Sequence, residues 1–117
     1  MSPPNEHIQG SQWWTRYQPV SYNLTSRSGT YAGFVDMTKR CKAVGVEVIA
    51  DAVINHMASS PSGTAYGVAG TSFYGRAFEP YGYDLSLMHH LDGNTETNCA
   101  VTNYDDATNV QQCDLVG

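Results

Sequence analysis

Three polar side chains close an apolar run in the stretch DAVINH, residues 51–56. Asp51, Asn55 and His56 carry a carboxylate, an amide and an imidazole, which can bind substrates, metal ions or protons. Polar groups at the end of a buried strand cost free energy unless they have partners, so a partner is expected there. The stretch therefore indicates a functional site. The simpler alternative is that Asp51 caps a turn and that the last two residues open a loop.

The segment SQWWTRYQPVSY, residues 11–22, brings aromatic and polar side chains together without a clear period. Its candidate ligand-binding residues are Trp13, Trp14, Tyr17 and Gln18. Aromatic rings stack on the apolar faces of sugars, and neighbouring polar groups bind the sugar hydroxyls. The segment therefore indicates a carbohydrate platform. The alternative is that the rings pack in a core beneath a loop.

A third polar segment, NYDDATNVQQC, residues 103–113, is rich in the oxygen ligands that Ca²⁺ prefers, among them Asp105 and Asp106. Most loops of this composition are only solvated, so the spacing alone is weak evidence for a metal. The histidines outside DAVINH are His7, His89 and His90. The sequence contains no HExxH, CxxC or Gly-rich phosphate loop.

An amphipathic helix is predicted over residues 30–44, upstream of DAVINH. Its apolar residues recur at helical spacing, at Tyr31, Phe34, Val35, Met37, Cys41 and Val44. Cations in its last turns suit the helix dipole, namely Lys39, Arg40 and Lys42. Gly45 is a natural stop. The pattern predicts a helix with one buried face.

The run VEVIADAVI, residues 46–54, is short, rich in β-branched residues and almost continuously apolar. Such a run predicts a strand buried on both faces of a parallel sheet. A helix followed by this strand is the second half of a βαβ unit, whose first strand would lie before Ser2. The predicted fold class is α/β, and the chain is expected to be a piece of something larger. Functional residues of such folds gather at the carboxyl ends of strands, where DAVINH ends.

Beyond His56 the sequence is rich in Gly, Ser, Asn, Asp and Tyr. Residues 59–75 show neither the helical nor the strand period and are full of turn residues, so irregular loops are predicted there. Long loops of this kind are usually functional excursions from a rigid scaffold.

Composition limits the partners of this chain. It has 117 residues, of which 41% are hydrophobic, and a formal net charge of −5 with only 6 Lys and Arg. The few cations form no cluster, so neither a nucleic-acid nor a membrane partner is expected. No apolar run approaches the roughly 20 residues that span a bilayer. The first residues do not read as a signal peptide, so either the protein is cytoplasmic or its leader lies outside this sequence.

Cysteine gives one further hint. The three cysteines are Cys41, Cys99 and Cys113. The last two lie in a polar, Asn-rich stretch and could close a short loop, which would place the protein in an oxidising compartment. Cys41 falls inside the helical pattern and is expected to be a small buried apolar residue.

Several of these segments together resemble the α-amylases of the large (β/α)₈ glycoside hydrolase clan, in their animal-type and related bacterial group. DAVINH is similar to the signature that ends the third barrel strand. SPPNEH followed by WWTRYQPVSYNL is similar to the loop after the second strand, and NYDDATNVQQCDLVG to the late part of the protruding second domain. The resemblance implies a part of the TIM barrel (loop after strand 2, helix 2, strand 3) in residues 1–56. It implies most of the loop-rich, calcium-binding second domain in residues 57–117.

The resemblance also implies roles for single residues. Those that line the glucan cleft are Trp13, Trp14, Tyr17, Gln18 and Tyr104. Asp51 supports the active site beside the strand of the nucleophile, and His56 hydrogen-bonds the sugar in the central subsite. Asn55 is a side-chain ligand of a structural Ca²⁺. Gln111 stands where the animal enzymes carry an arginine whose backbone carbonyl binds the same ion, and a carbonyl is kept under any side chain.

The resemblance further implies a disulfide between Cys99 and Cys113, and a partner for Cys41 upstream of residue 1. Chloride is a possible second cofactor, whose ligands would lie further downstream. The full-length protein would be a secreted, monomeric α-amylase. It would hydrolyse internal α-1,4-glucosidic bonds of starch, glycogen and maltooligosaccharides with retention.

The nucleophile and the general acid of this family would follow Gly117. The 117 residues are therefore expected to be inactive on starch, and poorly folded alone because parallel strand edges remain unpaired. Two alternatives stay open. One is a transglycosylase of the same clan that acts on α-glucans, and the other is a non-catalytic, calcium-dependent glucan-binding protein.

Overall fold

The structure is a computed structural model that describes residues 1–54, 56–59, 62–74, 77–78 and 101–113. In chain order, its elements are a 3₁₀ turn Trp13–Tyr17, helix α1 Tyr31–Ala43, strands β1 Thr64–Tyr66, β2 Ser72–Tyr74 and β3 Ala77–Phe78, and helix α2 Ala107–Gln112. Among these described elements no helix is both long and apolar enough to cross a bilayer.

The predicted helix is confirmed, and its two ends explain its bounds. Thr30 precedes the first turn in an extended conformation and accepts a hydrogen bond from Gly33 N, which makes it the N-cap. At the other end Gly45 adopts φ +77°, and its N–H donates to Lys42 O while Val46 N donates to Cys41 O. This pair of bonds is a Schellman motif, which requires a residue that tolerates positive φ.

The predicted buried face of α1 is only partly covered. No residue of α1 is fully buried. The half-buried residues share one side of the helix and are Phe34, Val35, Met37, Thr38 and Cys41. The helical period therefore identified the correct face, but the expectation that this face is buried is wrong for the described residues. Cys41 is half-buried and carries a free thiol.

The prediction of a strand over residues 46–54 is wrong. The segment forms no strand in the described structure, and Ile49 and Ile54 are more than 80% exposed. Its backbone is bonded to two other residues: Met1 N donates to Ile49 O at 2.6 Å and Asp51 N donates to Met1 O at 2.9 Å, while the Tyr22 hydroxyl donates to Val53 O at 3.4 Å. The two bonds with Met1 are the ones with strand geometry. These two bonds flank Ala50 in the pattern of a parallel ladder. A single pair of bonds cannot make a strand, because a parallel strand needs neighbours along its length.

The region predicted to be irregular contains the sheet. β1 and β2 form an antiparallel hairpin with Ala65 opposite Phe73, and β2 pairs with β3 with Phe73 opposite Phe78. The strands hold only two or three residues each, which is too few for the alternation of apolar and polar residues to be visible in the sequence. Pairing between strands, rather than local pattern, defines this sheet.

A small apolar core packs beneath one face of the sheet. Its buried members are Val20, Met57, Ala58, Phe73 and Phe78, and the half-buried Ile8, Tyr22 and Ala65 pack against them. The rings of Phe73 and Phe78 stack with centroids 5.4 Å apart. The core takes residues from both sides of position 56, where the sequence predicted a domain boundary. The division into residues 1–56 and 57–117 stays a prediction.

Beside this core lies an unusual concentration of buried polar residues. We define the polar hub as residues 5–8, 18–23 and 67–71. Within it the first segment lies between the other two: Val20 N donates to Glu6 O at 3.0 Å, and Val68 N donates to His7 O at 2.9 Å. Isolated bridges pair His7 with Pro19 and Ile8 with Gly67. Backbone bonds from both flanks thus fix the hub.

Candidate functional site

The aromatic segment forms an exposed 3₁₀ turn. Trp13 is 74% exposed and Trp14 is 44% exposed, so the indoles are not core residues. The ring of Tyr17 meets the ring of Trp13 edge-on, with centroids 6.1 Å apart. Large apolar rings left in water on a fixed turn are a typical feature of a ligand surface.

Two arginines and one threonine fix the turn. Thr15 is buried, and its hydroxyl donates to Gln12 O at 2.8 Å. Arg27 Nη1 donates to Gly10 O, to Gln12 O and to the Thr15 hydroxyl. Arg16, which lies inside the turn, donates to the Pro3 carbonyl and to two serine hydroxyls, those of Ser26 and Ser28. These bonds hold the turn from below, so the indoles can face solvent without disordering it.

His56 reaches the same turn. Its Nε2–H donates to Tyr17 O at 2.9 Å, because a carbonyl can only accept. In the neutral ring this leaves Nδ1 as an acceptor, and Nδ1 is a buried atom without a hydrogen-bond partner among the described residues. An unpaired buried acceptor is costly, so a hydrogen-bond partner for this ring nitrogen is expected.

Gln18 extends the site away from the indoles. Its Oε1 accepts from Ser59 N at 3.2 Å and from the Ser59 hydroxyl at 3.1 Å. Ser59 also lines an open groove of about 410 Å³, whose other walls are Ile8, Gln9, Ala65, Tyr66 and Phe73. The surface thus continues from the aromatic turn over Gln18 into the groove beside the hairpin.

The remaining predicted site residues lie in other parts of the chain. Asp51 is exposed, and within the described part of the chain its carboxylate has no hydrogen-bond or ion-pair partner. Asn55 and Cys99 lie outside the described residues, as do His89 and His90. Tyr104 is 68% exposed and precedes α2. The roles assigned to these residues stay predictions.

The polar segment before α2 uses its oxygens locally. Asp106 is the N-cap of the helix and accepts from Thr108 N at 2.9 Å and Asn109 N at 3.3 Å. Asn109 Oδ1 in turn accepts from the amides of Thr102 and Asn103. Asp106 is therefore explained by capping, as Asp residues before helices commonly are.

A calcium site can be tested only at one of its predicted ligands. Gln111 lies in the last turn of α2. The last carbonyl groups of a helix receive no hydrogen bond from a helical amide, so they need a partner outside the helix. The Gln111 carbonyl is thus suited to bind a cation. Within the described residues there is no cluster of three or more His, Cys, Asp or Glu that could hold a metal. Cys113 is buried next to this turn, with its Sγ 3.5 Å from Asn109 Nδ2.

The sequence did not identify Glu6 and His7 as a buried pair, yet both side chains have no solvent exposure. The Glu6 carboxylate accepts from the Ser21 hydroxyl at 2.6 Å and from the amides of Ala69 and Thr71 at 2.9 and 3.1 Å. Burial raises the pKa of Glu6, but these hydrogen bonds outweigh it and hold the pKa below its usual value. No local pattern predicts this network, because Ser21 lies 15 residues from Glu6 and the amides of Ala69 and Thr71 lie more than 60 residues away.

His7 is held in one neutral tautomer. Its Nδ1–H donates to Ile8 O at 2.7 Å, and its Nε2 accepts from Arg27 N at 3.3 Å. Burial lowers the pKa of His7, the charges of Arg16 and Arg27 lower it further, and the Ile8 carbonyl and Glu6 only partly oppose them. A proton on Nε2 would remove the hydrogen bond from Arg27 N. The ring of His7 therefore stabilises the fold and does not act as an acid or base.

Comparison with known proteins identifies the family. No family model matches the chain. It is 44% identical over 116 residues to an α-amylase of Streptomyces violaceus, covering 99% of this chain and 19% of that protein. It is 42% identical over 119 residues to an α-amylase of Tenebrio molitor, covering 100% of this chain and 24% of that protein.

Solved structures agree. The crystal structure of α-amylase I from Eisenia fetida matches with a TM-score of 0.78 and 35% identity over 97% of this chain and 24% of that one. A complex of its E249Q mutant with maltohexaose matches equally well. The chain thus spans 19–24% of the length of these relatives. The resemblance seen in the sequence is confirmed: the chain belongs to the α-amylase family.

Proposed function

We propose that this chain supplies part of the glucan-binding surface of an endo-acting α-amylase, which cleaves internal α-1,4-glucosidic bonds of starch and glycogen with retention. The observation that carries the proposal is the exposed aromatic turn with His56 bonded to its last residue. Trp13 and Trp14 offer flat apolar faces, and Gln18 offers a side-chain amide beside them. His56 would bond a sugar hydroxyl next to this turn, as the resemblance implies. Maltohexaose bound to a structural relative is in keeping with such a surface.

Calcium belongs to the proposal as a structural ion. Asn55 and the Gln111 carbonyl would hold it, and the ion would join the segment of DAVINH to the segment of α2. Hard oxygen donors of this kind are the ligands that Ca²⁺ takes. Bound Ca²⁺ would contribute stability by linkage, since it binds the folded form only.

Secretion and the disulfide Cys99–Cys113 complete the proposal. A disulfide persists in an oxidising compartment, such as the one outside the cell. The insect relatives of this chain are named α-amylases. The residues that perform bond cleavage would come from other parts of the full-length enzyme. Asp51 would support them, and the 117 residues alone would not hydrolyse starch.

A chimera tests the proposal. The homologous segment of the Tenebrio molitor α-amylase is replaced by these 117 residues, and reducing-sugar release from soluble starch is measured. We expect turnover by the chimera, with the product in the α configuration by NMR, and none by the 117-residue chain. Trp14→Ala should lower kcat/KM by about tenfold or more, because an aromatic contact contributes roughly 1–3 kcal/mol.

Tyr31→Ala is the matched control, since Tyr31 is a comparably exposed ring on α1. It should leave kcat/KM within about twofold. A chimera that folds, as shown by its circular dichroism, and yet releases no sugar would contradict the proposed activity. Sugar release by the isolated chain would contradict the assignment of the chemistry to other segments.

A further inference from the structure

Among the described acidic residues, Glu6 alone has a wholly buried side chain. The groups that donate hydrogen bonds to its carboxylate come from two distant parts of the chain. Ser21 approaches it from the segment that follows the aromatic turn. Ala69 and Thr71 approach it from the turn that joins β1 and β2. A buried carboxylate with charge-assisted hydrogen bonds holds its donors more firmly than neutral partners would.

The hairpin turn is shaped to receive this carboxylate. Gly67 lies so close to Glu6 that a Cβ at that position would overlap Oε1. Gly70 takes φ +94°, which closes the turn with a bond from its N–H to Gly67 O at 3.1 Å. Both glycines have a physical reason, since one permits close approach and the other permits the left-handed backbone.

The hairpin held in this way forms one wall of the groove. Ala65, Tyr66 and Phe73 come from β1 and β2, and the facing residues are Ile8, Gln9 and Ser59. Ser59 is bonded to Gln18, so the groove continues the surface of the aromatic turn. Tyr66 is 54% exposed at the groove and offers a further ring to a bound sugar.

We propose that Glu6 is a positioning residue that fixes the Tyr66 wall of this groove, and that the groove binds the outer glucose units of a long α-glucan. The inference rests on the proposed function. Glu6 does not touch the glucan: it acts through the backbone of the hairpin turn. Its loss should therefore weaken the binding of long chains more than the binding of short ones.

The test is a calorimetric titration, with maltohexaose and with maltotriose, of the chimera defined above, whose general acid is changed to the amide so that neither sugar is cleaved. Glu6→Gln keeps the size of the side chain but removes the charge that attracts the hairpin amides. We expect it to raise the Kd for maltohexaose about fivefold or more and to change the Kd for maltotriose less than twofold. Asp36→Asn removes the same charge from an exposed position of α1 and should change neither Kd.

A double-mutant cycle separates positioning from general loss of structure. If Glu6 acts through Tyr66, then Tyr66→Ala alone should weaken maltohexaose binding, and Glu6→Gln in that background should add little. If Glu6→Gln loses its far-UV circular dichroism, Ser21→Ala replaces it as the test variant, because it removes only one donor to the carboxylate. It should raise the Kd for maltohexaose in the same way but by a smaller factor.

Equal affinity of Glu6→Gln and wild type for maltohexaose, or fully additive effects with Tyr66→Ala, would overturn the inference. So would an equal loss of affinity for both sugars. If Trp14→Ala abolishes binding while Glu6→Gln leaves it unchanged, the inference alone fails. If the chimera with the wild-type segment is folded by circular dichroism and binds neither sugar, the proposed function fails and the inference fails with it.

Discussion

The polar hub and the region of α1 differ in burial, and the difference is the reverse of what the polarity of their residues predicts. The hub buries Glu6 and His7 completely, although both are ionisable. The apolar arm, which we define as residues 31–54, leaves Val46, Ile49 and Ile54 largely exposed, although its sequence is far more hydrophobic. In these two regions a residue is therefore buried where its groups find interaction partners, whatever its own polarity.

The hub is complete because each of its buried side-chain nitrogens and oxygens has a hydrogen-bond partner. Three groups donate hydrogen bonds to the Glu6 carboxylate, and both ring nitrogens of His7 have partners. The arm has one half-buried helix face and one pair of ladder bonds to Met1. The relatives are four to five times longer, and we expect their additional strands to cover such a face.

Phe78→Ala should give the largest effect in this comparison. Phe78 is 1% exposed and stacks on Phe73, so its removal leaves a cavity in the core and should cost about 3–5 kcal/mol of unfolding free energy. Ile49→Ala in the arm removes a side chain that is 82% exposed and should cost less than about 0.5 kcal/mol. Urea denaturation of both variants measures the contrast. Equal losses of unfolding free energy in the two variants would contradict this contrast.

Acidification should weaken the hub selectively. The pKa of His7 is lowered in the folded chain, so the unfolded chain binds more protons below about pH 6.5 and stability falls as the pH drops through that range. The pKa of Glu6 is also lowered, so its contribution is lost at lower pH, as the pH falls through its folded value. The thermal midpoint from pH 8 to pH 4 should show this fall. His7→Gln should remove the part that begins near neutrality, and an unchanged profile in that variant would exclude His7 as its source.

The N-cap of α1 should contribute a smaller amount. Thr30→Ala removes the acceptor of the Gly33 amide and should lower the stability of the helix by about 1 kcal/mol. Thr30→Ser keeps the acceptor and serves as the control. The helical signal at 222 nm against temperature distinguishes them, and identical curves for the Ala and Ser variants would show that the cap contributes nothing.

The smallest effect is expected at the surface of α1. Arg40 and Asp36 form an ion pair at 2.9 Å, with both side chains mostly exposed. Solvent screens such a pair, so Asp36→Asn should cost no more than about 0.5 kcal/mol, and less in high salt. A loss above about 1 kcal/mol, measured by urea denaturation at low and high salt, would mean that the arm is packed more tightly than described.

Local interactions explain what the sequence could predict. Helix α1 and its stop at Gly45 depend on residues a few positions apart, and both were predicted from the pattern. The cap at Thr30 is equally local but was not predicted. The aromatic segment was predicted from residue types alone as a ligand-binding platform, and its exposed indoles are consistent with a ligand surface.

Long-range contacts explain what it could not predict. The sheet depends on pairing between strands of two or three residues, and the Glu6 network joins positions more than 60 residues apart. The run 46–54 was predicted as a strand from its composition, but composition does not supply the neighbouring strands that such a run requires. Asp51, in this run, was named as a candidate from the pattern, but its role was assigned only through the resemblance to a family.

The most direct test of the glucan surface is the change in tryptophan fluorescence when the chain binds maltohexaose. Trp13 and Trp14 are the two tryptophans of the sequence, so any signal reports on the aromatic turn. We predict a saturable change with maltohexaose, no change with the β-linked cellohexaose, and loss of binding in Trp14→Ala. In a chain whose far-UV circular dichroism shows that it is folded, the absence of any change with maltohexaose, or the same response to both sugars, would contradict the account.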